Sequence, residues 1–347
     1  MTSVAVVACD HGLGHVRRSL LVARELVRRG AEVTLLAPPA AVDRAARVLS
    51  DGPTVPVVDF ASATSPEALR RGDPVATRWH ERLPDLAGFD AVVADTLPEV
   101  LHVRSDAVLV AQFWWHDVLD GLDPALVEDV STLLAAHAGP VLGSVPFAMP
   151  AVTRLAGFVG VGFFGPGGAR PSSEGRDTLL VTGGTTTVLD AALEAVVRAI
   201  AARGPGIHAR VAVEPRLLPA DAPTWMRPAG FGGDELATVA AALVRPGLGI
   251  VTDLLWHGVP VACVRETGNA ELEHNASALV RLGAGLDLGQ LVDGSAAEAS
   301  ALAGRLDGLD DLGRRDGSER TVPPAGVAPA TLGFDGAVAV ADVVLGA

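Results

Sequence analysis

Apolar runs of four to six residues alternate with helical stretches along nearly the whole of this 347-residue chain. Candidate strands are residues 4–8, 32–37, 90–94 and 107–112 in the first half, and 178–182, 208–213, 242–245 and 259–264 in the second. Runs that stay apolar over consecutive positions, as Val4 to Ala8 does, belong to strands covered on both faces, which is the situation inside a parallel sheet. Helical stretches between them, such as 16–29, 124–137 and 187–202, supply the crossovers. The pattern predicts doubly wound α/β sheets. A chain of this length favours two such domains.

The first unit of the pattern is the most regular. Val4 to Ala8 is a strand, Asp10 to His15 a glycine-containing turn, and residues 16–29 an amphipathic helix ended by Gly30. Val16, Leu20, Ala23 and Val27 share its apolar face, while Arg17, Arg24 and Arg28 share another. Those arginines read as a solvated face, the alternative being that Arg17 or Arg18 meets an anionic group. A dinucleotide fingerprint is excluded: the third small residue that Gly12 and Gly14 would require is replaced by Arg17, and Ala37 and Pro38 follow the second strand where an acidic residue should stand.

A second informative stretch runs from Arg245 to Ala276. Pro246, Gly247, Leu248 and Gly249 turn into the helical run Ile250 to His257, which Gly258 closes and Pro260 prevents from resuming. A glycine turn before a helix leaves the first amides uncovered, and the helix dipole adds partial positive charge there. Asp253, about one turn in, offers a carboxylate to ribose hydroxyls. Glu271, Glu273, His274 and Asn275 fall where a polar loop opening the next helix would grip a sugar. Diphosphate, ribose and sugar contacts follow one another in chain order, as a nucleotide-sugar site requires.

These two stretches carry a resemblance. Residues 4–37 and 244–285 resemble the GT-B glycosyltransferases, especially the group around the peptidoglycan enzyme that adds N-acetylglucosamine to lipid I. The first stretch is also similar to the nucleotide-sugar hydrolase of the pseudaminic acid pathway. Thr252 and Asp253 stand for the group's Thr-x-Glu, and Gly258 to Pro260 for its Gly-x-Pro. Glu271 to Ala276 match its Glu-Gln-Glu-x-Asn-Ala run, with Leu272 in place of the glutamine. The resemblance implies two Rossmann-like domains facing across a cleft. The expected divisions are residues 1–162 for the acceptor, 176–333 for the donor, and a final helix within 334–347 crossing back to the first domain. The glycine- and proline-rich segment 160–175 reads as the linker, and 313–333 as an irregular excursion.

In a parallel sheet, ligands bind beyond the carboxyl ends of the strands. On the first domain those ends carry His11, Gly14 and His15, then Asp95 and Thr96, then Trp114, Trp115 and His116. On the second they carry Gly183, Gly184 and Thr185, then Phe231, then Arg245 and Gly247 to Ile250. His15 is the expected general base, since imidazole suits proton abstraction near neutral pH; His11 could serve instead, and a capping role for His15 is the plainer alternative. Asp95 either orients the base, holds the acceptor or forms a turn. The amides of Gly183, Gly184 and Gly247 to Ile250, with Thr185 and Arg245, are expected to receive charge developing on a nucleotide diphosphate. The resemblance puts the nucleobase near Phe231. Trp114 and Trp115 are the acceptor candidates, although one of two adjacent tryptophans commonly packs inward.

Composition narrows the chemistry. The chain has no lysine and no tyrosine, which removes a Walker-A lysine and a Schiff base with pyridoxal phosphate. No Asp-x-Asp pair is present, which argues against metal-dependent GT-A enzymes, so neither a metal nor a cofactor beyond a UDP- or TDP-sugar co-substrate is expected. A formal net charge of −14 disfavours nucleic-acid partners. No apolar run reaches the ~20 residues of a membrane helix. Met1 to Ser3 lacks the basic start of a signal peptide, and Cys9 and Cys263 are too few for a disulfide framework. The expectation is a cytoplasmic monomer or homodimer. It would act as an inverting glycosyltransferase on a soluble small-molecule hydroxyl or amine, as in bacterial secondary metabolism. The alternatives are a nucleotide-sugar hydrolase in which His15 activates water, and an inactive nucleotide-binding protein.

Overall fold

The computed structural model describes residues 1–49, 52–62, 64–166, 171–206, 208–291, 295–306 and 333–346. The chain divides into two compact units, one of Met1–Gly167 with Leu332–Ala347, the other Gly168–Thr331.

The first unit is built on seven strands: β1 (Ser3–Val7), β2 (Glu32–Leu36), β3 (Val57–Val58), β4 (Ala91–Asp95), β5 (Val108–Val110), β6 (Val141–Ser144) and β7 (Phe158–Val161). They form one sheet in the order β3-β2-β1-β4-β5-β6-β7, with every pairing parallel. The chain winds outward from β1 in one direction, then returns to start β4 on its other side. That reversal opens a crevice beyond the ends of β1 and β4. Helices α1 (Leu13–Arg28) and α2 (Pro39–Val48) pack on one face, and the opposite face is filled around Trp79, Leu97 and Trp114. Crossover helix α3 (Pro124–Ala136) contributes Val130 and Leu134 to that second core.

The second unit has β8 (Thr178–Thr182), β9 (Arg210–Val213), β10 (Met226–Pro228), β11 (Val239–Val244), β12 (Val261–Arg265) and β13 (Gly285–Gln290), in the parallel order β10-β9-β8-β11-β12-β13. Its crevice lies beyond β8 and β11 by the same logic. Helices α4 (Asp190–Arg203), α5 (Leu248–His257), α6 (Ala270–Arg281) and α7 (Ala296–Arg305) connect or follow its strands. The last helix, α8 (Gly336–Leu345), belongs to the first unit, where Val340 and Ala341 are wholly buried in the core shared with α1. Arg29 pairs with Asp342 at that contact.

The two parallel sheets follow the alternation in the sequence, but five strands were not expected. β3, β6, β7, β10 and β13 are short or interrupted by glycine and polar residues, so their apolar signal is weak. Gly160 and Val161 belong to β7 instead of a linker; residues 167–170, and the expected excursion 313–333 apart from Gly333, lie outside the described residues. The stripe Val16, Leu20 and Ala23 is buried as its period requires, with Leu26 completing it. Arg17 and Arg18 correct the expectation of a solvated face: both are buried. They sit in the first turns of α1, where the sheet ends and leaves polar partners within a guanidinium's reach. Arg17 donates to the Phe164 carbonyl at 3.1 Å.

Candidate functional site

The crevice beyond β1 and β4 assembles a polar cluster from residues 80 positions apart. Val7 pairs with Ala94 in the sheet, so the chain leaving β1 and the last residue of β4 emerge side by side. Gly12 caps α1 at φ 97°, a left-handed value that favours glycine, and turns the chain sharply enough to bring His15 back over the strand ends. His15 Nδ1 lies 2.7 Å from Asp95 Oδ1. Arg18, one turn along α1 on the same face, grips both oxygens of that carboxylate: Nε meets Oδ2 at 2.5 Å and Nη2 meets Oδ1 at 2.7 Å. Nη2 also donates to Thr96 Oγ1 at 3.0 Å.

Hydrogen counting then settles the imidazole. Nη2 carries two hydrogens, and Asp95 and Thr96 take both, so its 3.2 Å approach to His15 Nδ1 is not a donation. The Nδ1–H of His15 is therefore the donor to Asp95, and in the neutral ring Nε2 is the acceptor. Burial alone would push the Asp95 carboxyl up, but the Arg18 charge and the hydrogen bonds from His15 and Arg18 outweigh it and hold it down to about 2. The ionised carboxylate is hydrogen-bonded to both His15 and Arg18.

Around the cluster stand rings. Phe113 and Trp115 have centroids 5.9 and 6.0 Å from that of His15, and His11 meets Trp115 edge-on at 5.1 Å. Trp114 turns the other way: it is 1% exposed and packed in the sheet core, so its ring cannot stack on an acceptor. This corrects its candidacy, and backbone alternation after β5 is the reason. Gly14 lies in the first turn of α1. His11 lines a cavity of about 420 Å³ with Asp10, Thr64, Ser65 and Asp73, a feature that no sequence motif announced. His116 lines a small cavity together with Trp115 and Glu99; burial lowers its imidazole toward the neutral form.

In the second unit the glycine turn differs in detail from the expectation. Gly247 is the cap of α5 and Gly249 lies within its first turn, so the uncovered amides are those of Leu248, Gly249 and Ile250; the Gly247 amide closes a turn onto the Arg245 carbonyl at 2.7 Å. No side chain caps this helix start. Arg245 is paired with Glu266, Nη2 to Oε1 at 2.6 Å, and burial of the Glu266 carboxyl is outweighed by that partner, which holds it below the usual range. Glu266 also accepts from Asn269 at 2.9 Å, and Asn269 caps α6 by accepting from the Leu272 amide.

Glu271, Glu273, His274 and Asn275 lie on α6 and not in a loop, because that cap starts the helix earlier than the polar composition implied. Asn275 is 1% exposed and donates to the Pro246 carbonyl at 3.0 Å, so it braces the turn; Leu272 is buried in the core, while Glu273 is exposed. Asp253 is 6% exposed on α5, one turn beyond Gly249. Gly183 and Gly184 also have partners already: Gly183 donates to Glu214 Oε2 at 2.9 Å and Gly184 to Thr182 Oγ1 at 3.1 Å, leaving Thr185 and Thr187 as exposed polar groups of that loop.

Among the described residues, Thr96 (φ 55°) and Phe231 (φ 59°) are the non-glycine residues in the left-handed region. Such strain persists where surroundings over-determine it, and it gathers at functional sites. Thr96 is pinned by Arg18; the Phe231 amide donates to Glu235 Oε2 at 2.8 Å. Glu214 and Glu235 escaped sequence reasoning, and Arg18 entered it only as the alternative of an arginine that meets an anionic group. For Arg18 the three-residue spacing from His15 was the available signal. Cys9 and Cys263 are free and buried, their thiols pushed up to about 12 by burial. Among the described residues no three His, Cys, Asp or Glu side chains gather as a metal site, and no helix is long and apolar enough to cross a membrane.

No protein-family model and no curated protein matches the chain. Solved structures do. The calicheamicin glycosyltransferase CalG4 is similar over 91% of this chain and 93% of its own, with a TM-score of 0.59 and 21% identity. The glycosyltransferase SnogD from Streptomyces nogalater is similar over 98% and 100%, with a TM-score of 0.58 and 19% identity. Arabidopsis thaliana UGT89C1, solved with UDP, is similar over 98% and 100%, with a TM-score of 0.60 and 16% identity; the same protein has been solved with quercetin. At these identities the likeness shows the fold, which is the GT-B fold of two parallel-sheet α/β domains.

Proposed function

We propose that this protein transfers a sugar from a UDP- or TDP-sugar to a hydroxyl or amine of a soluble small molecule, with inversion and without a metal ion. The observation that carries the reading is the His15–Asp95 pair, an imidazole held through Nδ1 by a buried carboxylate, which leaves Nε2 as the acceptor of the neutral ring. Inverting transfer needs the acceptor proton removed as the acceptor attacks the anomeric carbon, and an oriented imidazole performs that step. The resemblance of the His15 loop and of Glu271–Ala276 to the peptidoglycan enzyme's group supports the same assignment. So does the fold shared with a UDP-binding glycosyltransferase.

In this reading the second unit holds the donor. The leaving diphosphate gathers negative charge, and the open amides of Leu248, Gly249 and Ile250, with Thr185, meet it. Arg245 is neutralised by Glu266, so the amides and not a net side-chain charge meet the diphosphate at that turn. Asp253 accepts from the ribose, and Phe231 stands by the base. Asp253→Ala is expected to weaken UDP or TDP binding by ~1 to 3 kcal/mol through loss of charged hydrogen bonds; calorimetry returning the wild-type affinity would place the ribose elsewhere. Because amides carry the charge, exhaustive chelation should leave turnover intact, and restoration of lost activity by a divalent ion would contradict the assignment.

Burial of Leu272 favours a second reading, a nucleotide-sugar hydrolase with His15 activating water, because the side chain at that position offers the sugar no hydrogen bond. A panel of UDP- and TDP-sugars incubated with and without small-molecule acceptors separates the two. Conjugate formed only with acceptor supports transfer. Free sugar released at the same rate with or without acceptor supports hydrolysis, and binding with no turnover leaves an inactive nucleotide-binding protein.

A further inference from the structure

We propose that Arg18 is a positioning residue for the candidate base, selecting the proton-accepting tautomer of His15 and balancing the charge of Asp95 so that the neutral imidazole is retained. This inference rests on the reading of His15 as the base. Its support is geometric. Arg18 is 7% exposed and spends Nε and both hydrogens of Nη2 on Asp95 and Thr96. With both Nη2 hydrogens spent, the proton on Nδ1 must belong to His15, and in the neutral ring Nε2 is the bare nitrogen. The remaining guanidinium face lies over the Phe164 ring at 5.7 Å, so the group is held from both sides.

The charge count points the same way. A buried aspartate beside a histidine, with nothing else charged, is balanced best by an imidazolium. Such a pair makes a poor base, because its proton is already in place. With the guanidinium present, Arg18 and Asp95 cancel and a neutral His15 completes the balance; a protonated one would leave net positive charge in a buried site. The groups facing His15 are Arg18 from its own helix, Asp95 and Thr96 from the end of β4, and the uncharged rings of Phe113 and Trp115, with His11 beyond Trp115.

The test is nitrogen-detected NMR of 15N-histidine-labelled full-length protein across pH, with the His15 signals identified by their loss in His15→Ala. Wild type is expected to show Nδ1 as the protonated nitrogen and Nε2 as the bare one above the titration. In Arg18→Gln the midpoint should move up by about one pH unit, and in Arg18→Lys, which keeps the charge but loses the fork, by about half that. A proton on Nε2 in wild type, or an Arg18→Gln midpoint equal to that of wild type, overturns the proposal. Should Arg18→Gln fail to fold, as judged by circular dichroism, the equally neutral Arg18→Met takes its place, and an unmoved midpoint there is equally fatal. The titration needs no substrate. Failure of this proposal is thus read separately from failure of the transferase reading, which donor turnover and UDP or TDP calorimetry examine.

Discussion

Alanine at position 15 is expected to lower kcat/KM for sugar transfer by roughly 10²- to 10⁴-fold, the usual contribution of a general base, while UDP and TDP affinity stays within twofold of wild type. The separation follows from where the groups sit. His15 and its partners Asp95, Arg18 and Thr96 all belong to the first unit, whereas the open amides of α5 and the buried Asp253 belong to the second. Removing the imidazole leaves Asp95 paired with Arg18, so no uncompensated buried charge is created and the fold should be retained. Steady-state kinetics with a UDP- or TDP-sugar, alongside calorimetry with the free nucleotide, checks both halves. A variant that keeps more than about a tenth of wild-type kcat/KM removes His15 from the chemistry. A variant that loses nucleotide binding as well shows that the two units do not divide the work in this way.

The second large effect concerns stability. Glu99 is 5% exposed, and its Oε2 has no hydrogen-bond partner among the described residues. It lines the small cavity formed by Pro98, Trp115, His116 and Leu122. Burial dominates and pushes its carboxyl from 4.5 up to about 7, against the weaker opposing pulls of its own amide and of His102. The sign follows from linkage. In the unfolded chain Glu99 ionises near its ordinary value, whereas in the fold it stays protonated until about pH 7. Stability is therefore fullest below the unfolded value and is lost as pH rises through the folded one. Glutamine is a neutral isostere and escapes that loss. Glu99→Gln should accordingly be more stable than wild type at pH 8, by on the order of 1 to 3 kcal/mol, and nearly equal to it at pH 4. Urea unfolding at the two pH values measures the difference. An unchanged gap between wild type and variant across that range would show that the Glu99 carboxylate is ionised and paired inside the fold.

Much of the architecture was written into local pattern. Continuous runs such as Val4–Ala8 and Thr178–Thr182, apolar but for the threonines at the ends of the second, can only be covered on both faces, so parallel strands with crossover helices follow from the chain itself. Where the pattern was weak, it was silent: β13 carries Asp287 and Gly289 among its apolar residues, and β3 is two residues long. Turn chemistry was legible too, as with Gly258 in the left-handed region at the end of α5.

The site was legible as a set of residue types and not as a geometry. His15, Asp95, Arg245 and Asn275 could each be named from position after a strand or before a helix. What each one touches could not, because partners came from other parts of the chain: Asp95 for His15, Glu266 for Arg245, the Pro246 carbonyl for Asn275. The two arginines of α1 make the point most plainly. Helical periodicity assigned Arg17 to a polar face, and a polar face normally meets water; here it meets the end of a sheet, where the Phe164 carbonyl and the Asp95 carboxylate replace water as partners. By itself the sequence determined strand and helix, since those depend on neighbours within a turn or two. Tertiary structure alone decided which charges share a crevice, since strand order sets that, and β1 lies beside β4 only once residues 8 to 90 have been wound through β2 and β3.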